Sequence, residues 1–211
     1  MILNNNQPNG LHDLIFTPSI EVHTQTDDTI VLTIELTGEV TRNGVHQSTE
    51  KVGKASLQIV NEEWISGSLL DYLAYSIKNS DPVKQQDLMN VSNALRYIAA
   101  TPISSKGTIA YLHHLGIVTP FRGRGLTKAY MWLILKMLKE QMEVDTVLLQ
   151  VHPVGKFSPE ELKKEQKRLE KIYTKSGFSV IKSKSAIITD AGLQVKYMYC
   201  NLSTKYFTTF K

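Results

Sequence analysis

Two glycines and two arginines lie where an apolar strand gives way to an apolar helix. The strand is predicted from Gly107 to Val118, the helix begins near Leu126, and Gly123-Arg124-Gly125 occupies the junction. Glycines let the backbone turn tightly and approach a ligand, while the first helical turn presents N–H groups and the positive end of the dipole. Arg122 and the arginine of the triplet add positive charge beside those donors. The junction therefore predicts a seat for a phosphate or pyrophosphate group, and the alternative from the glycines alone is a tight connection between strand and helix.

Two common nucleotide-binding patterns are absent from the sequence. No Gly-Lys-Ser/Thr follows four free positions after a glycine, and the dinucleotide fingerprint lacks its third glycine. These two nucleotide-binding folds are therefore disfavoured.

The wider segment from Leu115 to Thr127 resembles the acyl-CoA signature of the GNAT superfamily of N-acyltransferases. That family has the pattern Arg/Gln-x-x-Gly-x-Gly/Ala, which falls on Arg122, Gly125 and Thr127. A second segment, Ile172 to Phe178, is similar to the family's Leu-Tyr-x-x-x-Gly-Phe element. The resemblance covers roughly residues 107–202. It implies an α/β fold with a GNAT-like mixed, mostly antiparallel central sheet flanked by helices.

The resemblance also implies acetyl-CoA as the co-substrate and no metal. It puts the thioester along Leu115 to Ile117, where a bulge at Gly116 would expose backbone donors and the Ile117 N–H would polarise the acetyl carbonyl. Gln166 takes the position of a family asparagine that contacts pantetheine. The implied cofactor-binding residues are Leu115, Ile117, Arg122, Gly123, Arg124, Gly125, Leu126, Thr127 and Gln166.

Three side chains are candidates for proton transfer. Tyr173 matches the tyrosine with which many family members protonate the departing sulfur, and a phenol with a pKa near 10 is protonated at neutral pH. His113 and Tyr111 lie where members place base-like groups, and His113 is preferred because imidazole titrates near neutrality. Strand alternation predicts His114 on the opposite face of the sheet, and His152 is a further candidate for lining the acceptor cleft. The alternatives are a packed core aromatic for Tyr173 and an ordinary hydrogen-bonded strand histidine for His113.

The sequence gives little support for a covalent enzyme intermediate or for a metal-dependent reaction. There is no Gly-x-Ser-x-Gly elbow, and Cys200, the only cysteine, is predicted to be a packed strand residue. The histidines have no carboxylate at ligand spacing. The pattern favours direct transfer between the thioester and an amine.

The chain has 211 residues, of which 42% are hydrophobic, and a net charge of +4. We expect one domain over residues 1–211, with an acyl-CoA-binding core at 107–202 and an N-terminal part at 11–100. The mild charge excess helps an anionic cofactor approach but falls short of a nucleic-acid-binding balance. No apolar window predicts a membrane span, and Met1 to Gly10 is too polar for a signal peptide. We therefore expect a cytoplasmic protein with no nucleic-acid or membrane partner, and a homodimer is left open.

The N-terminal part is predicted to be a β-meander followed by two helices. Ser19 to Gln25 and Thr29 to Thr41 alternate as a hairpin, and Asn43-Gly44 forms a type I′ turn into a third strand that ends near Val60. Two amphipathic helices are predicted between Trp64 and Ala100, with Asp81-Pro82 separating them. They precede the signature strand directly, so we expect them on the acceptor side.

The C-terminal half is predicted as alternating helices and strands. A helix from Leu126 to Met142 is followed by a strand from Thr146 to Val151. A second helix runs from a capping box at Ser158 to Ser176. Two last strands complete the sheet, and they are predicted at Val180 to Lys184 and Val195 to Leu202, with a turn at Asp190-Ala191-Gly192.

The leading function is an N-acetyltransferase that moves an acetyl group from acetyl-CoA to a primary amine. Two alternatives stay open: an acyl-CoA-binding GNAT-like module without turnover, and a protein or peptide N-acetyltransferase. In the last case the helices between Trp64 and Ala100 recognise a polypeptide instead of a small amine.

Overall fold

The alternation of the second predicted strand identifies the face of the sheet that carries the core. Leu32, Ile34 and Leu36 are completely buried, and the residues between them are partly exposed. The structure is a computed structural model. It describes residues 14–26, 30–42, 45–61, 107–153, 157–182 and 195–203, together with six helical positions between 78 and 93.

Three long antiparallel strands form the first half of the sheet, as the sequence predicts. They are β1 (Leu14–Thr26), β2 (Ile30–Arg42) and β3 (Val45–Asn61). Arg42 pairs with Val45, so two residues, Asn43 and Gly44, connect β2 to β3. The conformation of that predicted turn lies outside the described residues.

A strand, a helix and a second strand come next. They are β4 (Thr108–Ile117), α1 (Leu126–Met142) and β5 (Thr146–Gln150). β4 pairs antiparallel with β3 and parallel with β5, and a parallel connection needs a crossover such as this helix. The helix has its predicted bounds and packs on the core face of the sheet. The Tyr130 hydroxyl donates to the Thr37 carbonyl oxygen at 2.6 Å, which anchors the helix to β2.

The second helix, α2 (Pro159–Lys175), begins with the predicted capping box. Ser158 Oγ accepts the Glu161 N–H at 3.4 Å, and Glu161 Oε2 accepts the Ser158 N–H at 2.8 Å. Gly177 follows the helix with φ 95°, a conformation that glycine adopts without a Cβ penalty. The predicted capping box is confirmed, and the helix ends at Lys175, one residue before the predicted end at Ser176.

Two short strands, β6 (Ser179–Val180) and β7 (Tyr197–Asn201), complete the sheet. The strand predicted from Val180 to Lys184 begins one residue earlier, at Ser179, and among the described residues Ser179 and Val180 pair with β7 while the Ile181 N–H donates to the Tyr197 carbonyl oxygen at 2.9 Å. The predicted positions 183 and 184 lie outside the described residues. The turn predicted at Asp190-Ala191-Gly192 lies outside the described residues.

The seven strands have the order β1-β2-β3-β4-β5-β7-β6, and β4 with β5 is the one parallel pair among the described strands. Asp145 holds three strands together at one end of that pair. Its N–H donates to the Thr108 carbonyl oxygen at 2.9 Å, its Oδ2 accepts the Thr108 N–H at 2.9 Å, and its carbonyl oxygen accepts the Leu202 N–H at 2.8 Å. The predicted mixed, mostly antiparallel sheet flanked by helices is confirmed.

The segment of the two predicted N-terminal helices is described at six positions. All six are helical, and they are Lys78, Pro82, Gln85, Met89, Ser92 and Asn93. The other residues between Trp64 and Ala100 lie outside the described residues, so their place on the acceptor side stays a prediction. No helix in the described part of the chain is long and apolar enough to cross a bilayer.

Candidate functional site

The two parallel strands β4 and β5 pair only along the first half of β4. Their pairing runs from Ile109↔Thr146 to Leu112↔Leu149, after which β4 continues to Ile117. Asp145 joins the two strands at one end, and they are unpaired at the other end, where the phosphate seat lies. This opening is the start of a cleft.

A β-bulge in β4 lies where the strands diverge. Ser56 of β3 pairs with His114, but the next residue, Leu57, pairs with Leu112, so His113 is the additional residue on β4. The bulge predicted at Gly116 is therefore wrong, since Gly116 pairs in register with Lys54.

Glycines are needed at positions 53 and 116 because neighbouring atoms lie too close for a Cβ, and not because of a bulge. A Cβ on Gly53 of β3 would lie 2.0 Å from the Gly116 carbonyl oxygen, because the two backbones approach closely. A Cβ on Gly116 would lie 2.5 Å from His114 Nε2, so Gly116 leaves room for the histidine ring. Gly53 was missed in the sequence, although a glycine inside an apolar strand is itself a signal of close approach.

The bulge also reverses the alternation of β4. Ala110 and Leu112 belong to the core before it, and Leu115 and Ile117 pack on the core after it. The side chains of His113 and His114 consequently share the opposite face. The prediction that His114 faces away from His113 is wrong, because alternation fails at a bulge.

Two buried side chains hold the ring of His113. Its Nε2 lies 3.3 Å from Oε1 of Gln58 on β3, and its ring is 4.7 Å from the ring of Tyr111 at an interplanar angle of 66°. Gln58 and Tyr111 are 4% and 2% exposed. Tyr111 is therefore a packed wall residue beside the histidine, and Gln58 is a polar partner that the sequence did not reveal.

The predicted phosphate seat has the backbone that its glycines suggest. Gly123 and Gly125 have φ values of 77° and 74°, and Gly125 is the N-cap of α1. The Gly125 carbonyl oxygen accepts the Lys128 N–H at 3.2 Å, and no side chain caps the helix. The N–H groups of Leu126 and Thr127 therefore belong to the first turn, where a helix offers donors to an anion.

The two arginines of the seat have different surroundings. Arg122 Nε donates to the Ile117 carbonyl oxygen at 2.8 Å, which connects the loop to the end of β4. The guanidinium of Arg124 lies 5.7 Å from the centre of the Phe121 ring. Both are exposed, and only Arg122 lines the cleft.

The backbone of β4 directs donors into the opening. The Val118 N–H donates to the Val52 carbonyl oxygen of β3 at 2.8 Å. Because successive backbone groups of a strand point to opposite sides, the Ile117 N–H points away from β3, toward the gap beside β5. The Ile117 N–H needs this direction in order to donate a hydrogen bond to an acetyl carbonyl in the cleft.

The cleft has a volume of about 800 Å³ and is bounded by β3, β4, the end of β5, the seat and α2. It brings together most of the predicted site residues, namely Tyr111, His113, Leu115, Ile117, Arg122, Gly123, Gly125, Leu126, Thr127 and Tyr173. His114 and His152 line it as well. Arg124 and Gln166 do not. Gln166 is buried and donates to the Val151 carbonyl oxygen at 3.3 Å, joining α2 to the end of β5, and its contact with pantetheine stays a prediction.

The wall formed by α2 carries the candidate acid. Tyr173 is 9% exposed, and burial raises its pKa, an effect that the positive charge of Arg168 partly opposes. The phenol is therefore protonated at neutral pH. Arg168 also lines the cleft, and its Nε donates to Glu165 Oε2 at 2.7 Å.

The charges of the described cleft wall are mostly positive. Lys51, Lys54, Arg122 and Arg168 line it, against the single carboxylate of Glu165. Such a wall favours an anionic ligand. Among the described residues, no group of three or more histidine, cysteine, aspartate or glutamate side chains is arranged to hold a metal ion.

Cys200 takes no part in the cleft. It is 1% exposed on β7, as predicted for a packed strand residue, and burial raises the pKa of its thiol to about 12. The thiol is therefore not a nucleophile at neutral pH.

The fold matches known structures, although no family model and no curated protein matches the sequence. Mosquito arylalkylamine N-acetyltransferase like 5b is 12% identical with a TM-score of 0.52, over 81% of this chain and 74% of that one. Arylalkylamine N-acetyltransferase 2 from Aedes aegypti is 12% identical with a TM-score of 0.50, over 81% and 73%. The chain has the fold of the GNAT N-acetyltransferases, as the sequence predicts.

Proposed function

We propose that this chain is an N-acetyltransferase that moves an acetyl group from acetyl-CoA to a primary amine by direct attack. One observation carries the proposal. A single cleft is lined by five of the six residues of the phosphate seat at 122–127, all but Arg124, and by two side chains suited to proton transfer, His113 and Tyr173. Amine acetylation needs an anion site for the cofactor, a proton acceptor and a proton donor in one place.

The residues of the seat fit the pyrophosphate of acetyl-CoA. Two glycines at positive φ and the first turn of α1 offer backbone N–H groups, and the cationic wall adds long-range attraction. Arg122 uses its Nε on the Ile117 carbonyl oxygen, while a guanidinium carries four further N–H donors. Arg122 therefore both shapes the loop and faces the anion.

Three residues further along the cleft, Ile117, His113 and Tyr173, each have one role in the transfer of the acetyl group. Acetyl-CoA, when bound, supplies a thioester whose carbonyl carbon an amine can attack. The Ile117 N–H donates to the carbonyl oxygen, where negative charge develops. His113 takes the proton that the amine nitrogen loses as the C–N bond forms. Tyr173 donates its phenolic proton to the sulfur as the C–S bond breaks.

Two measurements on the purified protein test the proposal. Calorimetric titration with acetyl-CoA measures binding, and thiol release in the presence of small amines and peptides measures transfer. We expect binding that weakens with salt, and thiol release with at least one amine class. Arg122→Gln should weaken binding more than the matched control Lys136→Gln, since Lys136 lies on the exposed side of α1 outside the cleft.

The outcomes separate the candidate functions. Binding with no thiol release from any amine or peptide would favour an acyl-CoA-binding module without turnover. Release with peptides alone would favour a protein modifier. Absence of acetyl-CoA binding would contradict the proposal itself.

A further inference from the structure

We propose that the amine accepted by this chain carries an anionic group, a carboxylate or a phosphate, and that Lys54 of β3 binds that group. The inference rests on the proposed function and deepens it, since it names the class of amine that enters the cleft. Its basis is the position and the unpaired charge of one lysine of the cleft wall.

Lys54 lies on the strand next to the peptide that carries the Ile117 N–H. It pairs with Gly116 in the register of β3 and β4, and the preceding residue, Gly53, pairs with Ile117. Gly116 has no side chain that could cover the lysine, and Lys54 is exposed and lines the cleft. A cation is therefore available beside the proposed place of the thioester carbonyl.

The lysine lies on the face of the sheet opposite α1. Ala55 and Leu57 belong to the core, so alternation along β3 puts Lys54 on the other face, which it shares with His113 and His114. α1 packs on the core face, and the phosphate seat is at the N-terminus of that helix. The charge of Lys54 is thus separate from the seat and can serve a second anion.

The neighbouring charges of the described wall already have partners. Lys51 Nζ donates to Glu35 Oε1. Arg168 Nε donates to Glu165 Oε2 at 2.7 Å. Glu35 also pairs with Lys54 across β2 and β3, but its pKa is lowered chiefly by the Lys51 hydrogen bond and least by the charge of Lys54. No hydrogen bond or ion pair joins Lys54 to another residue in the described part of the chain.

This distribution of charge discriminates between classes of amine. A diamine would bring its second ammonium toward Lys54, and the one carboxylate of the described wall, Glu165, is already paired with a cation. An amine with a carboxylate or phosphate would form a charge-assisted hydrogen bond with the lysine while its nitrogen meets the thioester. The wall therefore favours the anionic class.

Acceptors of matched length test this preference. Propylamine, β-alanine and diaminopropane differ only in the group at the far end, and ethanolamine with O-phosphoethanolamine adds the phosphate arm. Thiol release gives kcat/KM for each. We expect each anionic amine to exceed its uncharged counterpart about 5-fold, as for an exposed ion pair, with a preference that falls as salt is added. The arm with the larger preference identifies the anion.

Two variants of the lysine assign the preference to its charge. Lys54→Gln should abolish it, and Lys54→Glu should reverse it in favour of diaminopropane. The preference is a ratio measured within one protein, so it does not depend on the folded fraction. Lys136→Gln makes the same change at an exposed lysine outside the cleft and should keep the parental ratio. Lys54→Gln should also keep the acetyl-CoA affinity that Arg122→Gln weakens.

A binding measurement makes the inference independent of turnover. Protein labelled with ¹⁵N is titrated with β-alanine and with propylamine, and backbone amide shifts give the affinity for each. We expect tighter binding of β-alanine, with shifts at Lys54 and Gly116. The difference should disappear in Lys54→Gln and persist in Arg122→Gln, which removes a cation of the seat instead.

The outcomes separate this inference from the proposed function. Transfer to propylamine or diaminopropane at least as efficient as to both anionic amines overturns the inference and leaves the proposed function intact. A parental ratio in folded Lys54→Gln, or a loss of acetyl-CoA affinity there equal to that in Arg122→Gln, also overturns it. If β-alanine binds at Lys54 but no amine releases thiol, the anion site stands and the proposed transfer fails.

Discussion

Replacing Gly53 by alanine tests whether the close approach of β3 and β4 positions the site. The new Cβ would lie 2.0 Å from the Gly116 carbonyl oxygen, 3.0 Å from its carbonyl carbon and 3.2 Å from the Ile117 Cα. All three atoms belong to the backbone, so no side chain can rotate away. Ordinary van der Waals contact begins at 3.4 Å, and the strands must therefore separate by about 1.4 Å at this point.

The displacement acts on the peptide that carries the Ile117 N–H. A misplacement of about 1 Å in a catalytic group can cost about 100-fold in rate, so we expect kcat of Gly53→Ala to fall about 100-fold. Overpacking a well-packed interior also costs about 1 to 3 kcal/mol of folding free energy. The affinity for acetyl-CoA should change much less, because the seat at residues 122–127 lies beyond the displaced pair.

Thiol-release kinetics, calorimetric titration and a thermal melt measure the three quantities separately. Gly116→Ala is the matched variant, since its Cβ meets the Nε2 end of the His114 side chain, which can move. We expect a smaller loss of kcat there than in Gly53→Ala. A folded Gly53→Ala protein with parental kcat would show that the approach of the two strands does not position the reacting group.

Further predictions concern the seat and the two proton-transfer residues. Gly125→Val should weaken acetyl-CoA binding in calorimetry far more than Arg124→Ala, because Gly125 has φ 74° at the N-cap whereas Arg124 is exposed; equal affinities would argue against the seat. Tyr173→Phe should lower kcat about 100-fold with acetyl-CoA affinity nearly intact. Because burial raises the pKa of Tyr173, its proton should be lost at a higher pH than that of an exposed tyrosine, and an alkaline limb at or below the pH of an exposed tyrosine that disappears in Tyr173→Phe would contradict this. His113→Gln should remove the acidic limb of the kcat/KM profile, and a variant that keeps the parental limb would transfer the base role to another group.

The sequence by itself determined the features whose causes lie within a few residues. The two glycines at positions 123 and 125 indicated a tight turn before a helix, and both have positive φ. Ser158 and Glu161 predicted a capping box, which depends on a spacing of three residues within one helical turn. The alternation from Thr29 to Thr41 predicted a strand, and Leu32, Ile34 and Leu36 are buried on one face of β2, because successive side chains of a strand point to opposite faces.

Family resemblance extended this to the order of the elements and the position of the cofactor signature. Both matched segments, around Gly125 and Tyr173, line one cleft. That the two segments lie close together could be expected only from the resemblance to the family, because neither segment by itself indicates how far it lies from the other in space.

Tertiary structure alone decided the geometry of the part of the cleft around His113 and Gly116. The bulge at His113 depends on how β4 pairs with β3, and Gln58, which holds the ring, is 55 residues earlier in the chain. The same pairing brings the Gly53 and Gly116 backbones into contact, and Asp145 keeps β4 and β5 together at one end while they part at the other. A register shift of one residue reverses the faces of a strand, and such a shift is set by long-range hydrogen bonds and packing, not by local preference. The chain's local pattern therefore indicated its helices and strands, whereas the pairing of distant strands decided which side chains surround His113.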